Sequence, residues 1–122
     1  MSLTFSPCVV IPCYNHGAMM SRVLARLQPF DLPYIVVDDG SDRRTQLELE
    51  RLALETPALT LIRLAQNAGK GAAVICGLQA AAQAGFSHAV QVDADGQHAI
   101  EDIPQLLALA QKHPEALISG QP

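Results

Sequence analysis

Short apolar runs alternate with longer amphipathic stretches along the chain. Cys8-Val9-Val10-Ile11 is a β-branched run closed by Pro12. Over 19–27, Met19, Val23 and Leu27 fall four apart, on one face of a helix. Tyr34-Ile35-Val36-Val37 is apolar throughout, as a strand covered on both faces should be. Thr45-Gln46-Leu47-Glu48 has the form of a capping box and predicts a helix from Thr45 to about Glu55, ended by Pro57. The alternation in Leu47-Glu48-Leu49-Glu50 is also compatible with a strand. Leu59-Thr60-Leu61-Ile62-Arg63-Leu64 reads as the third strand. The stretch 71–84 is rich in alanine and nearly apolar on all sides, which predicts a buried helix, with Gly85 at its C-terminal cap. Ala89-Val90-Gln91-Val92 is the fourth strand, and a helix with Pro104 in its first turn runs to His113 before Pro114. Ala116-Leu117-Ile118-Ser119 reads as a fifth strand.

This alternation predicts an α/β fold, Rossmann-like, with a mostly parallel sheet and helices on both faces. The length of 122 residues allows one domain. Hydrophobic residues make up 49% but aromatics only 4%, so the core must be aliphatic. A formal net charge of −4 leaves no basic face for nucleic acid, though one phosphate-bearing ligand remains possible if a cation accompanies it. Three cysteines at scattered spacing imply no disulfide framework, and Cys8 and Cys13 suit buried strand positions. Cys13-Tyr14-Asn15-His16 would be half a zinc site without a second half. Neither a signal peptide nor a membrane-spanning run is visible, and the expected setting is cytoplasmic.

Polar residues collect after the strands. Pro12-Cys13-Tyr14-Asn15-His16-Gly17 follows the first, and Asp38-Asp39-Gly40-Ser41-Asp42 the second. Gln66-Asn67-Ala68-Gly69-Lys70-Gly71 follows the third, and Asp93-Ala94-Asp95-Gly96-Gln97-His98 the fourth. In a parallel sheet these ends share one edge, where ligands bind at the switch in strand order. The loops of the opposite edge hold prolines and ordinary turn residues.

Asp93 and Asp95 stand two apart, so an extended chain would point them the same way. Two carboxylates on one side repel unless a cation lies between them or one keeps its proton. Gln97 adds a neutral oxygen, and this set of oxygens suits Mg2+ or Mn2+. The competing reading is a polar turn in which the carboxylates accept backbone N–H groups. Asp38 or Asp39 could likewise brace a turn, although a carboxylate at Asp39 could also accept donors from a base or ribose. Lys70 lies at a helix N-terminus, where free N–H groups favour an anion. Gly69-Lys70-Gly71 is not a P-loop, since Leu64 and Gly71 replace two of its required residues. Tyr14 could stack on a base or pack beneath its loop. His16 and His98 fit surface or capping roles, and His88 and His113 structural ones.

Together, Ile11-Pro12-Cys13-Tyr14-Asn15, Val37-Asp38-Asp39-Gly40-Ser41, Asn67-Ala68-Gly69-Lys70-Gly71 and Val92-Asp93-Ala94-Asp95-Gly96-Gln97-His98 resemble family 2 glycosyltransferases in order and spacing. The likeness is strongest to the dolichyl- and polyprenyl-phosphate sugar synthases, which often have glutamate where His16 stands. The resemblance implies the nucleotide-binding half of a GT-A fold, an inverting transferase, and a nucleoside-diphosphate sugar held with Mg2+ or Mn2+. It implies that Pro12, Tyr14 and Asp39 line the nucleoside pocket and that Asp93 meets the ribose or metal side of the donor. It also implies that Asp95 and Gln97 ligate the metal. Residues 1–122 are then expected to form one donor-binding domain, cut before the acceptor-binding part, and no residue is assigned as general base. The acceptor is unknown, with a polyprenyl phosphate at the inner membrane surface one candidate. A last strand at the end of the sheet would leave an open edge that favours self-association.

Two other classes compete with this reading. A non-catalytic nucleotide-binding module would bind nucleotide without transferring sugar. A receiver-like signalling domain would carry its acidic pair after the first strand, whereas here the pair follows the second.

Overall fold

The β-branched runs form a parallel sheet with a helix between each pair of successive strands. A computed structural model describes residues 5–15, 17–94, 100–112 and 118–119. Its strands are β1 (Pro7–Cys13), β2 (Tyr34–Asp39), β3 (Leu59–Leu64), β4 (His88–Gln91) and β5 (Ile118–Ser119). Its α-helices are α1 (Gly17–Leu27), α2 (Arg43–Glu55), α3 (Lys70–Gln83) and α4 (Ile103–Lys112). The strand order is β3-β2-β1-β4-β5, with every pairing parallel. Consecutive strands therefore run outward on one side of β1, and the chain then crosses to its other side for β4.

Alternation along the strands divides the core in two. Val9, Ile11, Tyr34, Val36, Val90 and Val92 pack with Met20, Leu27, Leu49 and Ile103, so α1, α2 and α4 cover this face. Cys8, Val10, Ile35, Val37 and Ala89 pack with Ala73 and Ala81 of α3 on the other. The expected layers are present, with helices on both faces. Among the described residues no helix is long and apolar enough to cross a membrane. His88 is buried at the start of β4, away from the polar strand ends, with its ring against Phe5 at 5.1 Å between centroids.

Three expectations change. Pro12 does not close β1 but lies inside it, opposite Val37. Val9 N donates to Pro33 O on the β2 side, and Val92 N donates to Val10 O on the β4 side. Alternation then turns the Pro12 nitrogen toward β4, past the last bond of that ladder, so its missing N–H removes no pairing.

The second change concerns α2, which begins at Arg43 under an Asp42 cap rather than at Thr45. Asp42 Oδ1 accepts from Thr45 N at 2.9 Å, and Glu48 pairs with Arg51 instead of reaching back. Asp is as good a cap as Thr, and starting earlier adds helical residues. Hydrogen bonds from Thr45 hold the Asp42 carboxyl below its ordinary value.

Third, α3 is not buried all round. Ala73, Gly77 and Ala81 form its buried stripe, while Ile75 is 57% exposed. Small residues four apart let α3 lie close on the sheet, and its other sides face outward. A Cβ at Gly77 would stand 2.4 Å from Val10 Cγ1 and 3.2 Å from Val37 Cγ2, on stiff, fully buried side chains. Gly77→Ala is expected to destabilise by about 1–2 kcal/mol, because overpacking outweighs alanine's better helix propensity. A lower urea midpoint would show it, and an unchanged or higher one would count against this packing.

The cysteines lie as the sequence suggests, with Cys8 and Cys13 buried. Burial pushes the Cys8 thiol up to about 11.

Candidate functional site

A crevice opens where β1 and β4 part. Pairing of β1 with β4 ends at Val10–Gln91, whereas pairing with β2 runs on to Cys13–Asp38. Beyond that point lies a cavity of about 340 Å3, lined by Pro12, Cys13, Tyr14, Asp39, Asn67, Gly69, Lys70, Asp93 and Ala94. This is the switch point in strand order, at the carboxyl ends of the strands. Its volume lies within the ~300–1,000 Å3 range of small-molecule sites.

The loops around the cavity are fastened to one another by polar side chains. Asn15 N donates to Ser41 Oγ at 3.0 Å, and Asn15 Oδ1 accepts from Asp42 N at 2.8 Å, joining the β1–α1 and β2–α2 loops. Asp39 joins the β2–α2 loop to the β3–α3 loop. Its Oδ1 accepts from Ala68 N at 2.7 Å, and its Oδ2 accepts from Gly69 N at 3.0 Å and Asn67 Nδ2 at 3.1 Å. Lys70 carries the connection across to β4. Its Nζ donates to Asp93 Oδ2 at 2.7 Å, while Gln91 Nε2 donates to Asp93 Oδ1 at 3.3 Å.

Strand alternation explains which carboxylates face the cavity. Val36 belongs to the face under α1 and α2, and Val37 to the face under α3. Asp38 follows the first and Asp39 the second. Asp38 is fully buried, accepting from Ser41 N at 3.0 Å and from Arg63 Nε at 3.3 Å. Arg63 also donates to Glu50 at 3.0 Å. The Glu50 carboxylate first, and Asp38 second, hold the guanidinium above its ordinary value against the opposite effect of burial. Asp38 is thus a turn brace tied to β3 and α2. The position of Arg63 as a partner for it was invisible in the sequence, because the two are 25 residues apart.

The sequence-selected residues Pro12, Tyr14, Asp39, Lys70 and Asp93 all line this one cavity. Tyr14 is 47% exposed, so its ring is not packed beneath the loop. Lys70 is not a freely solvated lysine but the first residue of α3, paired with Asp93. Asp39 turns toward the cavity, with three hydrogen bonds to its carboxylate from the β3–α3 loop. A carboxylate has about four acceptor sites, which leaves capacity for one further donor. Asn67 and Gly69, which the sequence offers only as parts of a motif, also line the cavity. Asp95 and Gln97, the other expected metal ligands, lie outside the described residues, as do His16, His98 and His113. Among the described residues no three His, Cys, Asp or Glu side chains are grouped to hold a metal. Asp93 does accept a cation in this wall, since the Lys70 ammonium sits on its carboxylate.

Residues 8–122 match the family model described as Glycosyl transferase family 2. The chain belongs to glycosyl transferase family 2. The polyprenol monophosphomannose synthase of Mycolicibacterium smegmatis is 34% identical over an alignment of 102 positions that covers 81% of this chain and 38% of that protein. The UDP-N-acetylglucosamine--dolichyl-phosphate N-acetylglucosaminyltransferase of Methanococcus voltae is 35% identical over an alignment of 112 positions that covers 81% of this chain and 45% of that protein. This family 2 chain therefore spans about two fifths of the length of these relatives. A solved structure, the mannosyltransferase PcManGT from Pyrobaculum calidifontis in complex with GDP-Man and Mn2+, aligns with a TM-score of 0.55 at 24% identity. The alignment covers 65% of this chain and 27% of that one, and it shows the shared fold, of GT-A type.

Proposed function

We propose that the protein binds a nucleoside-diphosphate sugar in the cavity at the β1–β4 switch point, together with Mg2+ or Mn2+, and forms the donor half of an inverting glycosyltransferase. The observation that carries this reading is the convergence of all four strand-end motifs, with Pro12, Tyr14, Asp39, Lys70 and Asp93 on one cavity. Tyr14 offers an exposed ring for stacking, and Asp39 an acceptor for a base or ribose donor. The N-terminus of α3 and Lys70 favour the diphosphate. Asp93, Asp95 and Gln97 would hold the metal, whose chemistry is to neutralise charge developing on the leaving diphosphate.

The names of the relatives suggest the acceptor class. Polyprenol and dolichyl phosphate appear in two of them, and undecaprenyl phosphate in a third, from Micrococcus luteus. A lipid phosphate acceptor is already ionised and needs no general base. The proposed acceptor is therefore a polyprenyl phosphate, met by the whole protein at a membrane surface.

Calorimetry with GDP and UDP, each with and without Mn2+, tests the donor site. Binding should be tighter with the metal, and Asp95→Ala should remove that increment while leaving metal-free binding in place. Absence of binding to either nucleotide with Mn2+ or Mg2+ would overturn the reading.

A further inference from the structure

The Lys70–Asp93 pair does more than brace the cavity. Lys70 opens the 14-residue helix α3, and its Nζ lies 2.7 Å from Asp93 Oδ2. The lysine side chain is 51% exposed and the aspartate 15% exposed. A lysine placed for an anion is thus engaged by a carboxylate placed for a cation. We infer that Lys70 is a built-in competitor for the metal on Asp93, and that arrival of the metal frees its ammonium for the donor's diphosphate, so that metal and nucleotide bind cooperatively. The inference rests on the donor-binding reading above and adds to it a coupling between its two ligands.

Charge and reach support this exchange. A divalent cation on the Asp93 carboxylate would stand a few ångströms from the ammonium, and like charges at that distance repel. Lysine's four-carbon stem is flexible, and here it is half in solvent, so the ammonium can leave Asp93 without disturbing α3. It remains tethered at the helix N-terminus, where free N–H groups already favour an anion. Asp39 does not offer an equal alternative, since its oxygens are engaged by the Ala68 and Gly69 N–H groups and the Asn67 amide. Without metal, a diphosphate entering the cavity meets the Asp93 carboxylate and a lysine already committed to it. With metal, both obstacles are removed together.

Two measurements on the wild-type protein and Lys70→Met test the coupling. Binding of Mn2+ alone is followed from the paramagnetic resonance of the free ion, and binding of GDP and UDP by calorimetry with and without Mn2+. Lys70→Met should bind Mn2+ alone about threefold more tightly, the scale of a half-exposed ion pair. With Mn2+ present it should bind nucleotide about tenfold more weakly, the scale of a lost charge-assisted hydrogen bond. The factor by which Mn2+ strengthens nucleotide binding should shrink correspondingly, since the coupling is reciprocal. Lys70→Arg keeps the charge and should retain most of the wild-type coupling. A merely structural lysine would not move the two affinities in opposite directions. The inference is overturned if the wild type shows Mn2+-dependent nucleotide binding while Lys70→Met binds Mn2+ alone no more tightly. A wild type that binds neither nucleotide with Mn2+ sinks the donor reading and the coupling together.

Discussion

Replacing Gly40 with alanine is expected to destabilise the protein by on the order of 3–5 kcal/mol. Gly40 has φ +70°, a left-handed conformation that costs an alanine about 1–2 kcal/mol. The larger effect is steric. A Cβ there would stand 2.3 Å from Asn67 N, 2.5 Å from Gln66 C and 2.9 Å from Asn67 Cα. All three are backbone atoms, so no side-chain rotation relieves the contact. The β2–α2 and β3–α3 loops would have to separate, and Asp39 would lose its bonds to Ala68 and Gly69. The melting temperature should fall by on the order of 10 °C or more. A melt within ~2 °C of wild type would show that the two loops are not packed this closely.

Asp39→Asn should lower stability by on the order of 3 kcal/mol and open the cavity wall locally. The side chain keeps its shape, but one of its two termini becomes a donor. Whichever way it turns, an NH2 then faces the Ala68 N–H or the Gly69 N–H, and a part-buried donor loses its acceptor. Amide hydrogen exchange at Ala68 and Gly69 should accelerate well beyond that of β1, because the loop opens before the sheet does. Nucleotide affinity should fall by at least about tenfold, since the loop that presents Lys70 is no longer held. Equal acceleration throughout the protein would indicate global destabilisation without a local clasp. Unchanged exchange at both amides would deny Asp39 this positioning role.

The two residues illustrate how much a linear reading carries. That Asp38 and Asp39 face opposite ways follows from strand alternation alone. Which of them meets the cavity depends on which face α3 covers, and that is a property of the chain's path. The pattern of β-branched runs was enough for five strands, the parallel sheet and the common edge of the polar loops. It misplaced the start of α2 because Asp42 and Thr45 compete as caps three residues apart. It overstated the burial of α3 because an alanine-rich helix is apolar on every side whether or not neighbours cover it. It stopped β1 at Pro12 because a missing N–H is harmful only where the ladder needs a donor, and that depends on where β4 diverges.

Local periodicity and residue chemistry by themselves determined the layers of this protein and the edge that bears its chemistry. They could do so because side-chain alternation and β-propensity act within a few residues. The tertiary structure decided the order β3-β2-β1-β4-β5, the crevice between β1 and β4, the closeness of Gly40 to Asn67 and the pairing of Lys70 with Asp93. These join residues 23 or more positions apart, and such distances are set only when the helical crossovers bring the strands back into one sheet.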